Sequence, residues 1–491
     1  MKKYLFLFIF FSTAAILYLS FPANSSEHFV SIKARKFELN GKDFYPIAVN
    51  YLVSLQADKK GVWARPYFGY TPDGTPRTLI KDSALAELTA DMELIKEMGF
   101  NSVRLVGAAG EEDVNRKTGE LAIVASLDNT RDTTVTLLSD ESYKKYFIAL
   151  HELFDAAGKA GLKIIFLVRM VPSIYSTENH LRRLATEFKN DTNIMAYDFF
   201  NEPLYFDSLT RNKIDVYPIT KRWNKVLKMY APNHLSTIGL EGIREIFEWD
   251  PDLLDVDFVS LHPYEFEKEQ VRNELYWYGH YIKKPWILGE TAIAADNIQV
   301  SYEDQKRFAH KTLKQAYNCG ASGYSWWQYK DVEWFDYHAN YMGAVSRTGE
   351  TRTKKGNMIV KGTVKPVTEE FIKFNLTDQK DSCLCLSNYY NYSEHKNFRI
   401  TGYVRDENNK PIPGAVVLAW NQYWSHSYHT ISKADGSFEL MSDFPFYHWI
   451  ASTSLYSMVR ADISPDTAKT YKDNIPTINV GDIKLHQLSP E

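Results

Sequence analysis

Eight short apolar runs recur along the sequence between residues 44 and 329, and longer stretches with helical periodicity separate most of them. Most of these runs are almost continuously apolar, which is typical of parallel strands that are buried on both faces. A chain that alternates strands and helices eight times can close its sheet, so we predict an α/β fold, a (β/α)8 barrel. The runs are FYPIAVNYL, NSVRLVGA, LKIIFLVRM, NIMAYDFF, LSTIGL, VDFVSLH, PWILGE and SGYSWWQY.

Helix-like stretches lie between most of the strand-like runs, as a barrel requires. The stretch ALAELTADMELIKEMGF ends near Gly99, a residue type that commonly stops a helix, and the next strand begins almost at once. Similar stretches precede strands three and eight, and VTEEFIKF offers a closing helix. The connection after strand five, EGIREIFEWDPDLL, is short, so the fifth helix is the weakest of the set. A doubly wound open sheet is the alternative, but no glycine-rich phosphate loop follows the first strand.

These patterns divide the chain into an N-terminal segment at 1–26, a barrel at 35–376, a linker at 377–397 and an all-β module at 398–491. The module has short alternating strands separated by turn sequences, which predict a small β-sandwich. Its sequences GYVRDENNKPIPGAVV and ADGSFEL resemble carboxypeptidase regulatory-like domains, a likeness that implies a fold but almost nothing about function. The module could bind carbohydrate or the cell surface, or only cap the barrel. We expect its aromatic residues to serve mainly its own core.

The N-terminal segment carries Lys2 and Lys3, followed by an apolar run that ends near Pro22. This is the pattern of a secretory signal peptide. Because residues 4–22 are almost long enough to span a bilayer, an uncleaved membrane anchor is the alternative. Both interpretations place the bulk of the chain outside the cytoplasm, as a secreted, periplasmic or cell-surface protein.

Composition excludes some classes of function and leaves others open. The net charge of −4 gives no electrostatic footprint for nucleic acid, so we expect no nucleic-acid partner. Cys319, Cys383 and Cys385 provide neither a disulfide framework nor a zinc-binding spacing, and the proximity of the last two is interpreted as incidental. Aromatic residues make up 14% of the chain, which fits either a large aromatic core or stacking against sugar rings.

Polar residues stand at the ends of several predicted strands, where the active sites of (β/α)8 barrels lie. Glu202 ends strand four and Glu290 ends strand seven, so two carboxylates from different strands point into one mouth. Such a pair suits glycoside hydrolysis, in which one carboxyl protonates the leaving oxygen while the other, ionised, attacks the anomeric carbon. Taken singly, each glutamate could instead be a salt-bridged strand terminus. Beside the pair stand Arg104, Asn201, His262, Tyr264, Trp326 and Trp327.

The motifs FNEP and LGET, with Arg104, the pair His262 and Tyr264, and the tryptophans of strand eight, resemble glycoside hydrolase family 5. The likeness covers about residues 35–376, and the opening FELNGKDFYPIAVNY is similar to the first strand of family 5 mannanases and cellulases. The resemblance implies a retaining enzyme that cleaves β-linked hexose poly- or oligosaccharides, of the β-mannan or β-glucan type, by double displacement. It implies a carbohydrate substrate and no metal or cofactor, since both catalytic groups are side chains.

The resemblance also implies a role for each matched residue. Glu202 matches the general acid/base and Glu290 matches the nucleophile. Of the supporting residues, Asn201 would bond the sugar 2-hydroxyl and His262 would order the acid/base side. Tyr264 would hold the nucleophile, and Arg104 would keep the nucleophile ionised.

Trp327 matches the floor of the cleaved subsite, and it is preferred to Trp326 because it follows Gly323 by four residues. A shift of one residue would turn the side chain to the other face of the strand. The sequence departs from family 5 near the end of strand three, where FLVRMVPS has Arg169 and no histidine. That departure leaves the sugar unspecified. A catalytically inactive carbohydrate-binding barrel and a transglycosylase using the same residues are the alternative functions.

Overall fold

The computed structural model describes residues 28–58, 61–67, 79–108, 122–124, 134–136, 140–173, 176–207, 209–334, 336–375, 381–386, 394–463 and 470–489. The predicted signal peptide or anchor at 1–26 and parts of the predicted linker at 377–397 lie outside these ranges. No helix within the ranges is long and apolar enough to cross a membrane.

A small antiparallel sheet closes the N-terminal end of the barrel. Phe37 of this sheet is buried in one apolar cluster with Ile165 and Met195, near the beginnings of two barrel strands. The segment FELNGKDFYPIAVNY therefore holds two strands of this sheet before the first barrel strand starts at Ile47. The sheet consists of β1 Ser31–Lys33, β2 Lys36–Leu39 and β3 Lys42–Phe44.

Eight parallel strands form a closed barrel, which confirms the predicted fold. The eighth strand pairs with the first, so that Trp326 lies in register with Val49. Every residue of the second strand is buried, as expected where the barrel interior covers one face and helices cover the other. The barrel strands are β4 Ile47–Asp58, β6 Ser102–Val106, β9 Lys163–Leu167, β10 Ile194–Asn201, β11 Leu235–Leu240, β12 Val259–Leu261, β13 Trp286–Leu288 and β14 Tyr324–Trp326. Shorter strands outside the parallel set are β5 Gly61–Pro66, β7 Ala122–Val124, β8 Thr134–Thr136, β15 Glu350–Arg352 and β16 Ile359–Lys361.

An α-helix follows every barrel strand except the fifth. The first helix ends at Glu97, and Gly99 takes a left-handed φ of +93°, as the predicted helix stop requires. A Cβ at Gly99 would lie 2.6 Å from the backbone nitrogen of Ile372, so glycine also lets the first and last helices meet. The helices are α1 Lys81–Glu97, α2 Asp140–Lys159, α3 Ser176–Glu187, α4 Pro203–Phe206, α5 Lys213–Tyr230, α6 Gln270–Tyr281, α7 Tyr302–Asn318, α8 Tyr337–Asn340 and α9 Thr368–Lys373.

The C-terminal module is a β-sandwich, as predicted, made of two four-stranded sheets with strand orders β20-β17-β24-β23 and β19-β18-β21-β22. Val417 and Ala419 of β18 face the core between the sheets, whereas Val416, Leu418 and Trp420 belong to the apolar cluster of the barrel. The run AVVLAW is therefore apolar throughout because its strand is buried on both faces. The strands are β17 Phe398–Asp406, β18 Val416–Trp420, β19 Ser427–Ile431, β20 Ser437–Ser442, β21 His448–Ser452, β22 Val459–Asp462, β23 Thr470–Lys472 and β24 Ile475–Leu485.

The sandwich covers the barrel next to the fifth connection, whose residues 241–258 hold a 3-10 helix at Ile243–Phe247 and no α-helix. Strand β21 lies against that 3-10 helix. The buried ammonium of Lys213 lies 2.8 Å from Asp250 and donates to Ser452 Oγ of the sandwich at 2.9 Å. The sandwich thus forms part of the outer layer of the barrel.

A disulfide joins Cys319 to Cys383, so the prediction that the cysteines form no disulfide framework is wrong for this pair. The bond connects residues 64 positions apart, and Cys385 stays outside it. The linker folds back on the end of α7, where Asp381 Oδ2 forms an ion pair with Lys314 Nζ at 2.6 Å. Spacing in the sequence cannot reveal such a pairing, because it depends on the return path of the linker.

Candidate active site

Arg104 lies at the centre of a hydrogen-bonded cluster inside the mouth of the barrel. It projects from β6, is almost fully buried and contacts side chains of β4 and β10 and the carboxylate that follows β13. Its Nε donates to Asp198 Oδ2 at 2.8 Å, and its Nη1 donates to Asn50 Oδ1 at 2.9 Å and to Glu290. Its Nη2 donates to Asn201 Oδ1 at 2.8 Å. One guanidinium therefore holds polar groups from three other strands in fixed positions.

Glu290 follows β13 and is held by two donors. Its Oε1 contacts Arg104, and its Oε2 accepts a hydrogen bond from the Tyr264 hydroxyl at 2.8 Å. Burial raises the pKa of Tyr264, so this hydroxyl keeps its proton and remains a donor. Burial also raises the pKa of Glu290 and the charge of Glu202 adds to that rise, while Arg104 and the Tyr264 hydrogen bond act against it. The cation and the hydroxyl together stabilise negative charge on this carboxylate.

Glu202 stands directly after β10, with a left-handed φ of 44° that is uncommon for a residue other than glycine. Its Oε1 lies 3.0 Å from Nδ1 of His262. Burial lowers the pKa of His262 to about 4, so the ring is neutral near neutral pH. Its Nε2 lies 3.2 Å from the hydroxyl of Ser260, which can either donate or accept. The neutral imidazole can therefore match Glu202 in either protonation state.

The environment of Glu202 favours its protonated form. Burial raises the pKa of its carboxyl to about 7, and the negative charge of Glu241 adds to the rise. The cations Arg104, Arg169 and Arg244 act in the opposite direction. Its hydrogen bond to His262 is to a neutral imidazole, which does not offset this rise in pKa as a hydrogen bond from a cation would.

The two carboxyl groups lie close together across the mouth. One ligand atom from each of Glu202, His262 and Glu290 lies within 4.8 Å of the other two. Two carboxylates at this separation repel each other, which favours a state in which one of them is protonated. A metal ion could bridge such a set, but Arg104 already places a positive charge on Glu290. The set therefore suits proton transfer and nucleophilic attack better than metal binding.

Two glycines make room for the ring of His262. A Cβ at Gly239 would lie 2.4 Å from the ring carbon Cε1, and a Cβ at Gly289 would lie 1.7 Å from Ser260 Oγ. Real side chains do not approach so closely, so any larger residue at either position would move the imidazole or its partner. The glycines in STIGL and WILGE are thus part of the site.

The tryptophans of strand eight face opposite ways. Trp327 is half-buried and packs against Leu52, the last residue of β4 that pairs with β6, and against Leu167, the last residue of β9. Trp326 is fully buried and faces outward, with its ring centre 6.3 Å from that of Phe308 in α7. The structure thus places Trp327 rather than Trp326 over the mouth, and its role toward a sugar stays a prediction.

Two further cations stand beside the carboxyl that follows β10. Arg169 follows β9 in the stretch FLVRMVPS, and its guanidinium carbon lies 5.9 Å from the ring centre of Phe206. Arg244 donates to Glu241 Oε2 at 3.0 Å and to the Tyr205 hydroxyl at 2.8 Å. The loops after β10 and β11 are thereby tied together, and their polar and aromatic side chains wall this side of the mouth.

Six of the seven predicted site residues are joined by hydrogen bonds in two groups at the mouth: Arg104, Asn201, Glu290 and Tyr264 form one, and Glu202 and His262 form the other. His262 Nδ1 lies 3.5 Å from Glu290 Oε1, so the groups are adjacent, and the seventh residue, Trp327, packs over the same mouth. The prediction missed Asn50, Asp198 and Ser260, which hold Arg104 and His262 in place. Their signal in the sequence is a single polar residue within a buried apolar strand, as in IAVNYL, YDFF and FVSLH. Such a residue needs a buried partner, which a strand of this kind can find only inside the barrel.

Comparison with known proteins identifies no close relative. No protein-family model matches the sequence, and no curated protein resembles it significantly. Among known structures, Bacteroides uniformis β-glucuronidase 2 matches 91% of this chain and 47% of its own, with 14% identity and a TM-score of 0.42. A GH5_18 protein from Streptomyces cattleya in complex with GlcNAc matches 70% of this chain and 84% of its own, with 16% identity and a TM-score of 0.45.

A GH2 β-galacturonidase from Eisenbergiella tayi matches 71% of this chain and 55% of its own, with 15% identity and a TM-score of 0.44. The chain spans about half the length of the first of these proteins, at 47%. The structural neighbours are glycoside hydrolases, but likenesses this distant do not assign the chain to a family. Its function has to be inferred from the geometry of the site itself.

Proposed function

We propose that the protein is a retaining β-glycoside hydrolase that cleaves β-linked hexose poly- or oligosaccharides of the β-mannan or β-glucan type. The observation that supports this most is the approach of Glu202 and Glu290, from different strands, to within 4.8 Å of each other and of His262. Retaining enzymes hold their two carboxyl groups about 5 Å apart, whereas inverting enzymes leave about 6.5–9.5 Å to admit a water molecule. The short separation favours double displacement.

In the first step, Glu290 would attack the anomeric carbon as the bond to the leaving oxygen breaks. Glu202 would give its proton to that oxygen, and a glycosyl ester would remain on Glu290. Arg104 and Tyr264 support this assignment, because they stabilise the ionised form of the nucleophile. Asn201 accepts from Arg104 through Oδ1, so its Nδ2 group is left to donate to the sugar 2-hydroxyl.

In the second step, Glu202 would take a proton from water as that water attacks the anomeric carbon and Glu290 leaves. Esterification removes the negative charge of Glu290, which lies close enough to be coupled to Glu202. The pKa of Glu202 should therefore fall once the ester has formed, and the same carboxyl can serve as acid first and base second.

A panel of aryl β-glucosides and β-mannosides, with β-glucan and β-mannan, tests this proposal. Nuclear magnetic resonance of the first product should show the retained anomeric configuration. Inversion, or no hydrolysis of any member of the panel, would contradict it. Glu290→Gln should abolish turnover while sparing the fold and sugar binding, and turnover near the wild-type rate would reject the assignment. Mass spectrometry of the products would identify the transglycosylase alternative if it showed that a sugar, rather than water, accepts the glycosyl group.

We also propose that the chain acts outside the cytoplasm. Lys2, Lys3 and the apolar run at residues 4–22 support export, by a signal peptide or an anchor. The bond between Cys319 and Cys383 supports it as well, since disulfides persist mainly in oxidising compartments. Cell fractionation and N-terminal sequencing of the product would separate cleavage from anchoring, and a cytoplasmic product with its intact N-terminus would overturn the proposal.

A further inference from the structure

A group of aromatic rings lies at one end of the sandwich, around the last residue of β18. The ring of Trp420 lies 4.4 Å from that of Trp424 and 5.4 Å from that of His448, measured between ring centres, with interplanar angles of 30° and 26°. Tyr423 stands beside Trp424 in the turn that follows β18. We call Trp420, Tyr423, Trp424 and His448 the aromatic ledge.

The ledge has a buried base and an exposed top. Trp420 is only 3% exposed and packs in the core, as the sequence led us to expect of these aromatics. Tyr423 is 81% exposed and Trp424 is 51% exposed, so core packing does not account for them. Large aromatic side chains gain most from burial, and clustered exposure of this kind marks a binding surface more often than scattered exposure does.

The turn that carries the ledge is held firmly by its own hydrogen bonds. Asn421 Nδ2 donates to Ser425 Oγ at 2.8 Å, and Asn421 Oδ1 accepts from the Ser425 backbone at 3.0 Å. Trp424 takes a left-handed φ of 55°, a costly conformation for a bulky residue. A conformation of this kind persists only where the surroundings enforce it, and here it presents the indole to solvent on top of Trp420.

The direction of β18 shows which side of the molecule carries the ledge. Gly414 stands just before the strand begins. Its carbonyl oxygen accepts a hydrogen bond at 2.7 Å from Nε1 of Trp277, a residue in the C-terminal half of α6. Beside the far end of the strand, Tyr428 pairs with Ala419, and its ring centre lies 4.1 Å from that of His395. His395 in turn contacts Glu267, three residues before α6 begins, at 3.0 Å. Since barrel helices begin on the catalytic side, the ledge lies on the same side as the carboxyl pair.

Exposed aromatic rings also lie between the mouth and the sandwich. Phe266, two residues after Tyr264, is 75% exposed and directly precedes Glu267, which contacts His395 at the end of the linker. Phe444 of the sandwich is partly exposed and stacks on His426 at 3.9 Å, next to the turn of the ledge. Exposed aromatic rings therefore stand both on the barrel beside this contact with the linker and on the sandwich.

We propose that the aromatic ledge is a second carbohydrate site, which binds a neutral β-linked hexopyranose chain by stacking sugar rings on Tyr423 and Trp424. The nature of the sugar rests on the function proposed above, whereas the stacking surface does not. Flat rings match the apolar C–H faces that β-linked pyranoses present. Arg460, 5.1 Å from the ring centre of Trp420, is a hydrogen-bond donor beside that surface for sugar hydroxyls. A chain long enough to reach both sites would be held by the sandwich while the barrel cuts it.

Binding is measured with the full chain carrying Glu290→Gln, so that hydrolysis cannot remove the polysaccharide. Affinity electrophoresis in soluble β-glucan and β-mannan compares this protein with versions that also carry Tyr423→Ala, Trp424→Ala or both. Each loss should weaken retention about tenfold on the polysaccharide that is bound, the scale of a well-stacked aromatic contact. Trp424→Phe should restore most of the retention, because it keeps a ring. Tyr471→Ala is the matched control, since Tyr471 is 72% exposed on β23 of the other sheet.

The ledge proposal would be contradicted if retention were unchanged by the loss of both rings, or if Tyr471→Ala weakened it equally. The proposal would also be contradicted if the ledge variants lost retention in proportion to a fall in their unfolding midpoint, because the loss would then reflect lower stability. The ledge substitutions in the otherwise wild-type chain should leave hydrolysis of a short aryl β-glycoside unchanged. A protein that binds polysaccharide through the ledge but hydrolyses no substrate would contradict the proposed function and support the ledge as a binding site. A protein that hydrolyses substrates but does not bind through the ledge would contradict only the ledge proposal.

Discussion

Replacing Glu202 with glutamine removes the proposed acid and little else. Glutamine has the shape of a protonated glutamate and can keep a hydrogen bond to His262, but it has no proton to give. For an oligosaccharide, whose alkoxide leaving group needs that proton, kcat/KM should fall by about 10²–10⁴. At about 1.36 kcal/mol for each factor of ten, this is about 3–5 kcal/mol of transition-state stabilisation.

The pH dependence gives a second readout, with a sign fixed by the structure. Burial and the charge of Glu241 raise the pKa of Glu202 to about 7, and the acid must be protonated to act. Wild-type kcat/KM for an oligosaccharide should therefore be high below this pKa and fall about tenfold per pH unit above it. From a dinitrophenyl glycoside the dinitrophenolate leaves without protonation, so the first step with this substrate should lose little in Glu202→Gln and the basic limb should disappear.

The assay measures kcat/KM for both substrates across the pH range, in the wild type and in Glu202→Gln. Added azide should speed turnover of the dinitrophenyl substrate by the variant, because this nucleophile needs no general base to attack the glycosyl ester. Equal losses on the two substrates would refute the role of Glu202 as acid. A basic limb that survives the substitution would show that the titrating group is another residue.

Three further substitutions test groups around the carboxyl pair and between the domains. Glu241→Gln removes a charge that raises the pKa of the acid, so the basic limb should move to lower pH, and an unmoved limb would count against this coupling. Gly239→Ala puts a Cβ 2.4 Å from the ring of His262, and the displaced imidazole should lower kcat by about a hundredfold with an unchanged circular dichroism spectrum. Lys213→Met leaves a buried carboxylate without its cation and should cost about 3–5 kcal/mol in urea unfolding. Exposed Lys221→Met is its control, and equal costs would contradict the buried-pair explanation.

The barrel could be predicted because its strands are buried on both faces. Runs such as LKIIFLVRM and NIMAYDFF leave little room for another interpretation once helical stretches separate them. The carboxyl pair could be placed for a related reason, since the C-terminal ends of parallel strands meet at one end of a closed sheet. Glu202 and Glu290 lie 88 positions apart in the sequence, yet that rule alone puts them in one mouth.

The features that could not be predicted from the sequence depend on contacts between distant parts of the chain. The short fifth connection was visible, but AVVLAW gives no sign that β18 packs on the barrel beside that connection. The pairing of Cys319 with Cys383 depends on the linker turning back along α7, which no spacing encodes. Asp198 and Asn50 were passed over because they stand inside strands, whereas the prediction considered strand ends.

Trapping of the intermediate tests the two-carboxyl assignment most directly. A slow fluorosugar substrate with an activated leaving group should inactivate the enzyme by leaving its glycosyl group on one carboxylate. Peptide mass spectrometry should find that group as an ester on Glu290, with burst release of the leaving group in equal amount. An ester on any other residue, or hydrolysis that passes through no covalent sugar, would contradict the account.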